Sequence, residues 1–154
     1  MEAMSPRTLF RTFAFAELVT WAGLITALIL RGTGVTDALV RPAGGVHGFI
    51  FLAYAAITVF VWVNQRWSAG AGILGLISAV VPFATLPFEI AMDRRGKLQG
   101  VWRLAPGRDE PRGVIERVQA WVLRHPFLAI LILAVGVTVV FMLLLWMGPP
   151  VPRA

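Results

Sequence analysis

The chain has no cysteine. That excludes disulfides, thiolate nucleophiles and cysteine-ligated metals, and it leaves the redox compartment open. Only 14% of residues are charged, and Lys97 is the single lysine among 14 basic residues. An arginine bias beside abundant Ala, Gly and Val reads as the coding habit of a GC-rich genome rather than as a binding surface. Most of the arginines flank apolar runs, where they set topology and meet lipid headgroups, so no nucleic-acid partner is expected. Catalytic signatures are missing too. There is no His-Glu-x-x-His, no P-loop, no Gly-x-Ser-x-Gly and no pair of intramembrane aspartates, so the chain does not read as an enzyme. The only histidines, His47 and His125, lack a ligand motif, and neither a metal nor another cofactor is expected.

What remains is largely hydrophobic: 58% of 154 residues. Four apolar stretches, about residues 13–30, 46–63, 73–92 and 127–147, each approach the roughly 20 residues that a helix needs to cross a bilayer. A soluble domain of this size could not hide so much apolar surface. The fold class is therefore an all-α integral membrane protein, a bundle of four transmembrane helices with a short amphipathic interfacial helix before the last. The first run is longer than a signal-peptide core, contains Glu17 and lacks a following Ala-x-Ala, so it is expected to stay as a span.

Composition divides the chain into a three-helix membrane core at 7–97, a basic cytoplasmic loop with the amphipathic helix at 98–125, and a fourth span at 126–148. Val114, Val118, Trp121 and Val122 make one apolar face, with Arg112, Glu116 and Arg117 outside it. Pro126 suits the first position of the last helix. In a four-span arrangement the loops around Arg31 and Arg41 and around Arg94–Arg124 share a side and hold 10 basic residues. Arg7, Arg11, Arg66 and Arg153 lie opposite. The positive-inside rule then puts both termini outside. The chain is expected to be a multi-pass protein of the bacterial inner membrane.

Few polar groups fall inside these runs. Glu17, in the first, must face the bundle interior, be paired or be protonated, and Thr20 shares its face. It reads either as a proton or cation site or as a structural tie, accepting hydrogen bonds from another helix or from Arg11. His47 opens the second run and reads as a proton relay or as a packing histidine, with Tyr54 and Thr58 on its face. In straight antiparallel helices Glu17 lies too far from the first loop to reach His47. Glu89, near the end of the third run, matches its depth, so a His47–Glu89 pair is expected close to Pro87. Gly48 would admit a close helix, and Ala71, Gly75 and Ala79 form a small-residue stripe on the third. Pro82 and Pro87 read as bends in one span. Trp62, Trp67, Trp102, Trp121 and Trp146 read as anchors at the two interfaces.

Arg11, Ala16-Glu17, Gly45-Val46-His47-Gly48-Phe49, Tyr54, Pro82 and Asp93-Arg94-Arg95 together resemble the YdzA-like family of small bacterial integral membrane proteins, a domain of unknown function with a His-Gly dipeptide. The resemblance covers roughly residues 7–97. It directs attention to Glu17, His47 and Gly48 and implies a link to membrane transport, without supplying an activity. The functional expectation is a permeation component or oligomeric accessory in transport, built on Glu17, His47 and Glu89. The other reading is a structural or partner-binding membrane subunit. The expected partners are the lipid bilayer and a homo-oligomer or larger membrane complex.

Overall fold

The computed structural model describes residues 4–147, which form six helices whose longest connection is the irregular segment 95–112. Arg153 and the end of the expected fourth span, residue 148, lie outside the described residues. The chain divides into two compact units, at 1–103 and 104–154.

In the first unit, α1 (Pro6–Gly32) starts where Ser5 accepts the backbone N–H of Thr8 and Pro6 fills the first turn. Its 27 residues extend about 40 Å. The 26-residue α2 (Val40–Gln65) runs back beside it and ends at Arg66, in the left-handed region with φ 51°. Both are long and apolar enough to cross a membrane. Their burial is inverted relative to a water-soluble domain. Phe49 and Leu52 are 70% and 68% exposed, whereas Glu17 is fully buried. Only an apolar solvent makes that distribution favourable, because it rewards exposed hydrocarbon and penalises exposed charge.

The third apolar run departs from the expected single span. It forms two short helices, α3 (Ala69–Val80) and α4 (Thr85–Arg94), of 12 and 10 residues. At about 18 and 15 Å neither crosses a hydrocarbon core of about 30 Å. They fold into a helical hairpin that enters from the Arg7 end and returns to it. Trp67, just before α3, packs its ring 6.1 Å from that of Phe88 in α4 and donates from Nε1 to the carbonyl of Lys97 beyond α4. The turn at the tip explains the reversal. Ala84 N–H bonds to the Val81 carbonyl, Pro82 takes the second position, and Phe83 takes a positive φ of 64° at the third. This is the pattern of a type II turn, which normally places glycine or asparagine where Phe83 stands.

Small residues seat the hairpin against α2. A Cβ on Gly72 would lie 2.0 Å from the Trp62 ring, and one on Gly75 would lie 2.8 Å from the Thr58 methyl. The packing face is therefore Gly72, Gly75, Ser78 and Ala79, displaced from the expected Ala71, Gly75, Ala79 stripe. Gly48 is half-buried, and a Cβ there would meet nothing within 4 Å among the described residues of its own unit. Phe10, Tyr54, Trp67 and Phe88 fill the centre of this end, with Phe10 5.5, 5.6 and 6.2 Å from the other three rings. Trp67 and Trp102 are thus core residues rather than interfacial anchors. Trp102 is buried and donates to the Met4 carbonyl.

With the third run turned back, the expected topology changes. Arg31 and Arg41 flank the α1–α2 connection at one end of this unit. The end of α4 sits at the other, beside Arg7 and Arg11. The two loops assigned to one side are at opposite ends.

In the second unit, α5 (Gly113–Arg124) begins where Glu116 accepts the Arg112 N–H at 2.6 Å. It carries Val114, Ile115 and Val118 exposed on one side. The 22-residue α6 (Pro126–Met147) starts at Pro126 and has no charged residue.

Candidate functional site

The connection between α1 and α2 decides which acid His47 meets. Leu39, Pro42 and Ala43 share one groove with Gly23, Thr26 and Ala27. The chain therefore doubles back along the last turns of α1 before α2 begins. Ala27 is five residues from the end of α1, so the offset is about 8 Å. It brings His47 level with Thr20. His47 Nδ1 lies 3.8 Å from Glu17 Oε1 and 3.3 Å from Thr20 Oγ1. Thr20 also donates to the Glu17 carbonyl at 3.1 Å and approaches Glu17 Oε2 at 3.4 Å. Aromatic rings close the cluster: Trp21 lies 4.4 Å and Phe51 6.3 Å from the imidazole, centre to centre.

The expected His47–Glu89 pair does not form. Glu89 instead accepts from Arg11 Nε at 2.8 Å, and Asp93 accepts from Arg11 Nη2 at 2.9 Å and Arg7 Nη2 at 2.6 Å. Arg11 is thus committed to α4 and gives Glu17 no hydrogen bond. The reversal of the third run is the physical reason, because it places Glu89 at the Arg11 end. The Arg7 hydrogen bond holds the Asp93 carboxyl below its ordinary value; desolvation opposes this and the charges of Arg7 and Arg11 reinforce it.

Tyr54, two turns along α2 from His47, is fully buried. Its hydroxyl is 2.9 Å from Ser78 Oγ, which donates at 2.7 Å to the Gly75 carbonyl. Thr58 donates to the Tyr54 carbonyl, and Thr85 donates across to the Ala14 carbonyl. The hairpin tip is held by a residue that sequence reasoning passed over. Trp21 Nε1 donates at 3.2 Å to the carbonyl of Ala79, in the last turn of α3 where helical donors run out. Its signal was position: Trp21 lies one turn from Glu17, deep in a span rather than at an interface.

These contacts define what the cluster can do. Glu17 is fully buried and its Oε1 has no hydrogen-bond partner among the described residues. Thr20 and Glu17 both meet His47 at Nδ1, so the imidazole does not bridge them as a nucleophile–base–acid relay requires. The arrangement suits holding and exchanging a proton rather than nucleophilic attack.

A fold that is all-helical over the described residues, with two membrane-length helices, an apolar exterior and buried carboxylates, is of the integral-membrane type. Residues 7–94, more than half of the chain, match the family described as domain of unknown function DUF3817, and the chain belongs to that family. The match covers the stretch in which the resemblance placed a small membrane domain of unknown function, although YdzA-like is not the name of the matching family. The chain is also 40% identical over 91 residues to a Streptomyces coelicolor (strain ATCC BAA-471 / A3(2) / M145) protein named "Putative membrane protein SCO5905". That segment is 58% of this chain and 11% of the relative, so the chain spans only a small part of the relative's length. No solved structure matches the chain.

Proposed function

We propose that this protein is a non-enzymatic, multi-pass component of the bacterial inner membrane acting in transport, with Glu17, Thr20 and His47 as its proton-exchanging centre. One observation carries the reading. A carboxylate lies fully buried in a membrane-length helix, 3.8 Å from an imidazole, with one oxygen lacking a hydrogen bond. Glu89 Oε2 and Asp93 Oδ1 likewise lack a partner, but those two carboxylates are neutralised by Arg11 and Arg7, whereas among the described residues Glu17 has no arginine or lysine in ion-pair reach and only an imidazole and a hydroxyl beside it. A group that must take up and release a proton keeps one oxygen available.

The reversed third run supports a membrane orientation for this reading. Arg7, Arg11, Arg66, Arg94, Arg95, Lys97 and Arg103 lie at one end of the first unit, against Arg31 and Arg41 at the other. The positive-inside rule then makes the N-terminal end cytoplasmic, with α1 and α2 crossing and α3–α4 entering and leaving from the cytoplasm. The third run supplies no crossing, and α6 is long enough to add one.

A second reading, a partner-binding accessory with no flux of its own, is favoured by the relative. There the matching segment is about a tenth of a far longer chain. Flux of protons and common ions through proteoliposomes separates the two. Wild type should conduct, and Glu17→Gln, which keeps the side-chain shape and its contact with Thr20, should abolish flux while remaining folded. Tight wild-type vesicles select the accessory reading.

A further inference from the structure

The ion pairs of the first unit leave a specific charge unbalanced. Among its described residues the acids are Glu17, Asp37, Glu89 and Asp93. Glu17 is buried beside His47, and Asp37 belongs to the α1–α2 connection at the far end. Glu89 and Asp93 are both taken by Arg7 and Arg11. Arg94 and Arg95, exposed at the end of α4, therefore face no carboxylate of this unit.

Below them is a groove of about 500 Å³ lined by Pro87, Ile90, Ala91, Arg94 and Arg95. These positions recur at helical spacing, so they form one stripe on the face of α4 opposite Glu89 and Asp93. Pro87 to Arg95 is eight residues, about 12 Å along the axis. The stripe is apolar at the membrane-embedded end and doubly cationic at the end level with Arg7. Its polarity runs in the same sense as that of a phospholipid, from acyl chain to phosphate.

We infer that Arg94 and Arg95, with the groove of Pro87, Ile90 and Ala91, bind an anionic phospholipid. The two guanidinium groups take the phosphate by charge-assisted hydrogen bonds, and the upper part of one acyl chain lies along Ile90 and Ala91. A net negative lipid is selected over a zwitterionic one because the choline or ethanolamine cation would meet the same two arginines. The inference does not depend on the transport reading, since none of these residues touches Glu17, Thr20 or His47.

The test is lipid retention by the purified full chain in native mass spectrometry, with phosphatidylglycerol, phosphatidylcholine and inorganic phosphate as probes. Wild type should retain phosphatidylglycerol at least tenfold over phosphatidylcholine. Arg94→Gln with Arg95→Gln should lose about tenfold of that retention. Ala91→Phe, which fills the groove and keeps both arginines, should also lose it. Arg31→Gln with Arg41→Gln, at the other end, should stay within twofold of wild type. Undiminished retention in the Arg94/Arg95 variant, or equal retention of the zwitterionic lipid, overturns the site. Displacement by inorganic phosphate together with an unchanged Ala91→Phe variant overturns the lipid assignment, because the arginines would then be a bare phosphate site.

Discussion

His47 and Glu17 face each other across α1 and α2 with Nδ1 and Oε1 3.8 Å apart, and Thr20 contacts both from one turn away. The pair exists because the connection between the helices runs back along α1, so that residues with different distances from the loop reach one level. The rings of Trp21 and Phe51 then shield the imidazole. This geometry makes the two residues separable by mutation.

His47→Ala should destabilise the bundle by about 1–3 kcal/mol, since it removes a buried ring packed on Trp21. Glu17→Gln should change stability by less than about 1 kcal/mol, because it keeps the volume and the contact with Thr20. Unfolding in a denaturing detergent series measures both. A Glu17→Gln variant less stable than His47→Ala would mark the carboxylate charge as a structural tie.

Two glycines should behave oppositely. Gly72→Ala sets a methyl 2.0 Å from the Trp62 ring and should cost about 1–3 kcal/mol by forcing that ring away. Gly48→Ala meets no neighbour in its own unit and should gain up to about 1 kcal/mol from helix propensity. Thermal melts of the two variants give the comparison. A destabilised Gly48→Ala would indicate that a surface outside its own unit packs on that position.

Much of this was readable in advance. The runs around Glu17 and His47 announce α1 and α2, and the 3.6-residue period puts His47, Tyr54 and Thr58 on one face. The hairpin was hidden because lipid accepts any apolar helix. A run of small and apolar residues reads the same as one span or as two half-helices. Pro82 marked a break but not its angle; the positive φ of Phe83 sets that, and aromatic residues carry no such expectation. Once the run reverses, Glu89 changes ends, and depth matching against His47 fails with it.

Phe83→Gly should leave stability unchanged or raise it by about 1 kcal/mol, since glycine adopts φ 64° without strain. Phe83→Val should lower it, because a β-branched residue tolerates that region worst. Melting temperatures decide. Loss of stability on Phe83→Gly would show that the ring, rather than the backbone, anchors the tip.

The network at the N-terminal end predicts acid sensitivity. Asp93 has its folded pKa lowered, first by the Arg7 hydrogen bond. Its ionised form thus favours the folded state. The contribution is complete above the unfolded carboxyl value of about 3.9 and is lost as pH falls through the lowered folded value. Stability should be flat in this term from pH 6 to 8 and decline below about pH 4. Arg7→Ala should shrink the decline. An unchanged acid limb in that variant would remove the ion pair from the account.

The absence of cysteine makes topology directly measurable. Single substitutions Asp37→Cys and Gln99→Cys should label with a membrane-impermeant thiol reagent from opposite faces, Asp37 from outside the cell and Gln99 from the cytoplasm. Labelling of both from one face would restore a full crossing by the third run.

The two half-helices also impose an order on assembly. Neither α3 nor α4 is long enough to enter the bilayer as an independent span. At the tip, the Ala79 carbonyl is bonded by Trp21, and Thr85 donates to the Ala14 carbonyl. Both of those groups belong to α1. Until α1 and α2 stand together, the hairpin has neither a packing face nor partners for its polar groups. The N-terminal pair is therefore a template that the following segment reads. A chain cut after residue 67 keeps both of its spans, whereas a chain lacking α1 leaves residues 69–94 without a place in the membrane.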